Sequence, residues 1–385
     1  MIRSTFALLL GIASSLAAAQ TPTQVRVVET LRLDANAEDF SVVGPVRIGP
    51  AGQIAITFRQ DAQIRVYDST GKRLTSFGRK GQGPGEFGEM QVQGWRGDTV
   101  WVYDYRQYRH TFVTQTGRLV RVVRMADVLN VRRANTAGPL TSPLAVHAML
   151  ADGTMLGLAC LRPTANGSHF GVVRATPTGE TTALVLIPGM DDRCQPRFAA
   201  MNPLVFTPQT VFRPDGSSFA QIRVDSMARK GTFTLALFDG SGRLLLTKSF
   251  PFVGEPIPTR VVDSMLAAMT WSPKHDPEGL TRQGTADAIA KARANIPPVY
   301  VPINGMLLGQ DGTMWVFMRG PSSRTSALVL DGSGNRIAVV TIPARSDVIA
   351  GSATQMWVRE RDDDGLTSIV RYRVEGIRCA RPACR

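Results

Sequence analysis

Residues 311–340 carry the pattern that decides the fold. Asp311-Gly312 opens onto Met314-Trp-Val-Phe-Met318, and a polar stretch leads to Ala327-Leu-Val-Leu330. Asp331-Gly-Ser-Gly334 then turns the chain into Arg336-Ile-Ala-Val-Val340. Two glycine turns thus bracket a pair of short apolar strands. Glycine there supplies the positive φ of a tight hairpin without a Cβ penalty. The first turn recurs at Ala51-Gly52, Gly97-Asp98, Asp152-Gly153 and Asp215-Gly216, with a weaker copy at Gly351-Ser352. Each is answered downstream by a second turn ending in Gly71, Gly117, Gly179, Gly242, Gly334 or, in the last unit, Gly376.

The repeating unit is strand, glycine turn, strand, loop, strand, glycine turn, strand. Six copies of a four-stranded antiparallel meander predict an all-β fold, a six-bladed β-propeller over residues 20–378. A β-sandwich also has many short strands, but it gives no reason for six copies of one meander. The first-turn glycines stand 45, 56 and 63 residues apart up to Gly216, and the next step, to Gly312, is 96. That step calls for an insertion between blades four and five, at about 254–297. Val261, Val262, Met265, Leu266 and Met269 fall at helical spacing there, and Ala286, Ile289, Ala290 and Arg293 predict a second short helix before Pro297-Pro298. The pair would pack over a face or side of the ring, as a buttress or as a lid on a binding mouth. The sixth unit supplies only three strands, near 347–351, 355–359 and 367–374. Val25–Leu33 is a spare strand, and pairing it as the outer strand of the last blade would close the ring.

Composition agrees with this architecture. The chain has 385 residues, 43% of them apolar and 19% charged, which suits a large packed core and not a disordered chain. Its 36 Gly and 24 Pro follow no G-X-Y period and must sit in many turns.

Residues 1–19 read as a secretory signal: Arg3 as the lone charge, Phe6–Leu10 and Ile12 as an apolar core, and Ala17–Ala19 before a cleavage point. The apolar stretch is too short to anchor the chain, no other segment reaches transmembrane length, and no Cys follows to carry a lipid. An exported chain, periplasmic or extracellular, is expected. Four cysteines in such a chain fit two disulfides, Cys379 with Cys384 in a C-terminal tail (379–385) and Cys160 with Cys194. A zinc site is not indicated, because no CxxC pair occurs and His110, His147, His169 and His275 are scattered.

The net charge is +13, with 44 Lys and Arg against 31 Asp and Glu. A basic exported surface attracts acidic polysaccharide, lipid headgroups or nucleic acid non-specifically. No long basic run supports a specific nucleic-acid partner.

Phe77-Gly-Arg-Lys-Gly-Gln-Gly-Pro-Gly-Glu-Phe87 is the most distinctive segment. It resembles the inter-blade signature of NHL-type propellers, and its Gly83–Phe87 form resembles exported bacterial six-bladed propeller proteins. The resemblance covers one blade junction and implies structural roles, with Glu86 capping backbone amides and Phe87 wedged between blades. A phosphate loop is disfavoured, since Pro84 removes a donor and neither a Lys-Ser/Thr pair nor a helix follows.

Catalytic templates fit poorly. Gly240-Ser-Gly242 and Gly332-Ser-Gly334 are hairpin turns, not nucleophile elbows. Asp362-Asp-Asp-Gly365 reads as a solvated hairpin loop in preference to a calcium loop, because Arg359 and Arg361 flank it. Arg96-Gly-Asp98 sits in a turn that the repeat already requires, and Asn166-Gly-Ser168 matters only in a glycosylating host. His147, on the innermost-strand segment Ala145–Met149, is the candidate for the central channel. An arginine falls seven residues after the first-turn position at Arg59, Arg223, Arg319 and Arg359, and nine after it at Arg106 and Arg162. Strands alternate direction in a meander, so all six would rim one mouth of the channel, where guanidinium groups bind carboxylate, phosphate or sulfate through forked hydrogen bonds.

The expectation is an exported binding or scaffold module that recognises a protein, an anionic glycan or a small anion at this mouth, without a cofactor. The alternative is a propeller lyase or hydrolase using the channel, with His147 and a divalent metal. A third possibility is scaffolding through blade edges alone.

Overall fold

The computed structural model describes residues 25–377 apart from 41, 125–139, 141–143, 163–169, 188–208, 269–288, 291–292, 295 and 320–324. It contains six four-stranded antiparallel sheets in sequence order. The N-terminal strand is β1 (Arg26–Leu33). Blade one is β2 (Val43–Ile48), β3 (Ile54–Phe58), β4 (Gln63–Tyr67) and β5 (Arg73–Phe77). Blade two is β6 (Met90–Arg96), β7 (Thr99–Asp104), β8 (Arg109–Thr114) and β9 (Leu119–Arg124). Blade three is β10 (Ala145–Met149), β11 (Met155–Cys160), β12 (Phe170–Ala175) and β13 (Thr181–Leu186). Blade four is β14 (Gln209–Phe212), β15 (Ser218–Ser226), β16 (Lys230–Asp239) and β17 (Leu244–Val253). After helix α1 (Thr259–Ala268), blade five is β18 (Ile303–Leu308), β19 (Met314–Arg319), β20 (Thr325–Leu330) and β21 (Arg336–Thr341). Blade six is β22 (Ser346–Gly351), β23 (Gln355–Arg361) and β24 (Thr367–Glu375), completed by β1.

The six-bladed propeller expected from the repeat is therefore the fold, and the spare strand closes it. β1 runs antiparallel to β24 from Arg26 opposite Glu375 to Leu33 opposite Ile369. Gly376 differs from its expected role: it has positive φ but follows β24, because the next strand of that blade comes from the other end of the chain. In blade six the glycine turn is Asp362–Gly365, where Asp362 Oδ1 accepts the Leu366 N–H at 2.8 Å. This segment is thus the β23–β24 hairpin.

The outer turns share one chemistry. Asp68, Asp239 and Asp331 each accept the backbone N–H groups two and four residues on, and Thr114 and Thr176 accept only the latter. Each turn ends in a glycine with φ between +72° and +91°, and the fourth strand that follows carries a one-residue register shift against the third.

The core is divided among the junctions. Six apolar clusters each join two adjacent blades, as where Ala55, Ile64 and Val66 of blade one meet Met90, Val100 and Val102 of blade two. Second strands lie between neighbouring sheets and are buried on both faces, with β3 buried along its whole length, whereas β5 and β9 are largely exposed. This is why second strands read as continuous apolar runs.

The Phe77–Phe87 crossover acts as a wedge. Phe87 is fully buried in the cluster between blades one and two, and Glu86 Oε2 accepts the Gly83 N–H at 2.8 Å. Arg109 crosses from β8 to donate to the carbonyls of Gln82 (3.0 Å), Gly83 (2.8 Å) and Glu86.

The insertion begins with α1, whose Val261, Val262, Met265 and Leu266 form its sheltered face. Residues 289–290 and 293–294 are also helical, and Arg293 pairs with Asp263 at 2.6 Å. Met269 and Ala286 lie outside the described residues, as do residues 1–19, Asn166, His169, Cys194, His275, Cys379 and Cys384. Cys160 ends β11 and is not a free thiol; its pairing with Cys194 remains an expectation. No helix among the described residues is long and apolar enough to cross a membrane.

Candidate ligand-binding channel

The six inner strands surround a cavity of about 900 Å³, within the size range of small-ligand sites. Five of them (β2, β6, β10, β18 and β22) carry a register shift against the second strand of their blade, and β14 does not. A bulge leaves a residue out of the ladder and re-aims its side chain. In blade three the shift falls between Val146 and Ala148, so the residue set free is His147.

His147 and Arg359 line the cavity, and so does Arg47 on β2. Burial pulls the Arg47 pKa below its ordinary value, and the charge of Arg359 adds to the effect. Its Nη1 donates to the Val46 carbonyl at 3.0 Å. Arg359 approaches Asp347 at 3.6 Å, beyond good hydrogen-bond length, and its buried Nε has no acceptor. Arg371 also lines the cavity but is committed to structure, donating to the Ser69 carbonyl and Thr30 Oγ1 at 3.0 Å each. Among the described lining residues there is no Asp or Glu.

Neutral polar groups complete the wall. Gln91 Oε1 accepts from Arg59 Nη2 at 3.3 Å and from the Tyr105 hydroxyl at 3.0 Å, which leaves its amide NH2 as the group for the lumen. Thr210 Oγ1 is buried without a partner. The His147 ring faces the lumen and stacks on Phe212 with centroids 5.1 Å apart and planes within 6°. Desolvation by the surrounding walls, helped by the charge of Arg47, lowers its pKa to about 4, so it is uncharged at neutral pH. At the first-turn mouth, Gln310 of blade five donates to the Ile48 carbonyl of blade one at 3.3 Å and narrows the opening.

The other rim arginines do not line this cavity; Arg59, Arg106, Arg162 and Arg319 lie at the ends of second strands or just beyond them, whereas Arg223 sits inside β15 opposite Thr234, because that strand runs on to Ser226. Arg59 reaches it indirectly through Gln91. Arg106 pairs loosely with Glu89 (3.8 Å), Arg223 pairs with Asp225 (3.0 Å), and Arg319 lies 5.7 Å from the Tyr300 ring. Arg162 is exposed. No described residue of the insertion lines the cavity.

Sequence reasoning missed Arg47 because it counted forward from the first turns. Counting five residues back from Gly52, Gly97, Gly153, Gly216 and Gly312 gives Arg47, Val92, Ala148, Val211 and Leu307, with one charge in an otherwise apolar column. Six back gives Val46, Gln91, His147, Thr210 and Met306, all lumen-lining.

A second histidine sets a pH dependence. His110 is 1% exposed between Trp101 and Tyr103, and burial lowers its pKa to about 3. The unfolded chain takes up this proton near pH 6.5, so the stabilisation is complete above that pH and is lost on acidification towards 3, at up to about 1.4 kcal/mol per pH unit. Urea unfolding between pH 7 and 4.5 should show this slope together with a similar contribution from His147, whose pKa is also lowered, and His110→Gln should remove about half of the dependence; an unchanged slope would contradict the assignment. Depressed carboxylates such as Asp239 titrate below this window.

No family model matches the chain, and no curated protein matches it. Solved structures do. A member of the DUF4221 family from Bacteroides vulgatus superposes with a TM-score of 0.50 at 10% identity, covering 92% of this chain and 100% of that one. A "Putative exported protein" from Bacteroides fragilis gives 0.47 at 13% identity over 94% and 97%. The PQQ-bound aldose sugar dehydrogenase from Streptomyces coelicolor gives 0.38 at 13% identity over 92% and 99%. At such identities the likeness is one of fold alone, and propellers host unrelated activities.

Proposed function

We propose that the protein is an exported binding module that takes an anionic ligand in its central channel, with Arg47 and Arg359 as the charge-bearing contacts. The observation that carries this reading is the Arg47 and Arg359 guanidinium groups, beside the structurally committed Arg371, in a lumen whose described lining holds no carboxylate. Each partly buried cation carries a desolvation cost, and an anion between them would offset both while giving Arg359 Nε its acceptor. His147, Gln91 and Thr210 add neutral polar residues to the rest of the lumen wall. Arg59, Arg106, Arg162, Arg223 and Arg319 would contribute a cationic field that draws anions towards the ring. Export follows from the reading of residues 1–19, and the resemblance of Phe77–Phe87 to exported propellers supports it. The lyase or hydrolase reading would require several convergent His or acidic side chains. Of such side chains the described lining offers His147, and the binding reading rests on the arginines.

Titration calorimetry of the purified protein with benzoate and with inorganic phosphate tests this. Binding should weaken as salt rises. Arg47→Gln and Arg359→Gln should each lower affinity about tenfold or more, as a charge-assisted hydrogen bond contributes about 1.5–3 kcal/mol. Arg106→Gln should change little. Failure of both anions to bind, or arginine variants indistinguishable from the wild type, would overturn the reading.

A further inference from the structure

The channel is two-sided. In a closed ring of six, blade one stands opposite blade four and blade six opposite blade three. The cations Arg47 and Arg359 come from the adjacent blades one and six, which also contribute apolar Ile48 and Ile349, whereas the described lining residues of blades four and five carry no charge and include Val211, Phe212, Met306, Leu307 and Leu308. Val211, Phe212 and Leu307 are only half-buried, so apolar surface faces the lumen. The stacked Phe212 and His147 rings add a flat aromatic edge to this wall. A cavity of about 900 Å³ also far exceeds what an inorganic ion fills.

Resting on the anionic reading above, we infer that the ligand is an organic anion with a flat apolar body, its charged group between Arg47 and Arg359 and its body against blades four and five. Removing the apolar lumen surface from water supplies the affinity that a small ion cannot gain, while the guanidinium pair fixes the ligand's orientation.

Calorimetry with 2-naphthoate, acetate and 2-naphthalenemethanol on the full chain separates the contributions. 2-Naphthoate should bind about tenfold or more tighter than either of the others, given the apolar area it buries and the charge it carries. Phe212→Ala should weaken 2-naphthoate about fivefold or more and leave acetate unchanged, with Phe212→Leu as the bulk-preserving variant if the alanine form unfolds. Arg359→Gln should weaken 2-naphthoate and acetate alike. Equal affinity for acetate and 2-naphthoate, with arginine dependence intact, would overturn the apolar-body inference and leave the anionic reading standing. 2-Naphthalenemethanol binding as tightly as 2-naphthoate, with no response to Arg359→Gln, would overturn both. No binding of 2-naphthoate would overturn the inference.

Discussion

A chain that begins at Ala35 is expected not to fold stably, although all the glycine turns and 23 of the 24 strands remain. Without β1, blade six keeps three strands and the ladder along β24 is left open. Leu33 is 3% exposed in the cluster joining blades six and one, Leu31 packs against that cluster, and Val27 packs against the one joining blades five and six. Each buried apolar side chain contributes about 1.5–3 kcal/mol and each ladder hydrogen bond about 1 kcal/mol. Their sum is comparable to the whole stability of a typical domain, about 5–15 kcal/mol. The bridge from Arg32 to Glu29 and Glu360 is exposed and adds little. Circular dichroism melting of chains starting at residues 24 and 35 decides the matter. The first should melt like the full chain, and the second should show no cooperative transition. A normal transition for the shorter chain would mean that the ring is held without its latch.

Phe87→Ala carries the second large effect. This ring is fully buried between Ile64 and Val66 of blade one and Val100 and Val102 of blade two. The backbone around it is fixed by the Phe87 N–H donating to the Arg79 carbonyl at 2.8 Å and by the Gly81 N–H donating to the Phe87 carbonyl at 3.2 Å. Removing a buried phenyl group from such a site costs about 3–5 kcal/mol, because the crossover cannot collapse into the space. Gly85→Ala is the contrast. Gly85 has φ +75° and no atoms within 4 Å of a would-be Cβ, so its cost is confined to backbone strain, about 1 kcal/mol. Urea denaturation of the two variants should give ΔΔG values differing severalfold. Similar values would show that the segment is only a connector.

The propeller was legible because its turns need glycine in the left-handed region, and that need leaves a mark in the sequence at each hairpin. The closing strand was legible because Val25–Leu33 had no partner in its own neighbourhood. The crossover wedge was legible through the resemblance of Phe77–Phe87 to an inter-blade signature. The inner-strand bulges were not, since one extra residue in a strand alters neither composition nor alternation in a way that separates it from a longer strand. Without the bulges, which side chains enter the lumen could not be read, and the second-strand ends drew notice in place of the inner strands. His147 was found because a histidine in an apolar strand stands out; Arg47 was lost among the chain's many arginines.

The latch also fixes an order of events. Thr30 and Arg371, which exchange side-chain and carbonyl hydrogen bonds, are 341 positions apart, so β1 waits for β24 until the five intervening blades have been made. Until then β1 is an unpaired edge whose Arg26, Glu29 and Arg32 discourage chance association with other chains. A product clipped before β24 cannot settle as a smaller wheel, because its two ends have nothing to grip. The ring therefore registers its own closure, and only a chain that has reached β24 becomes a durable wheel.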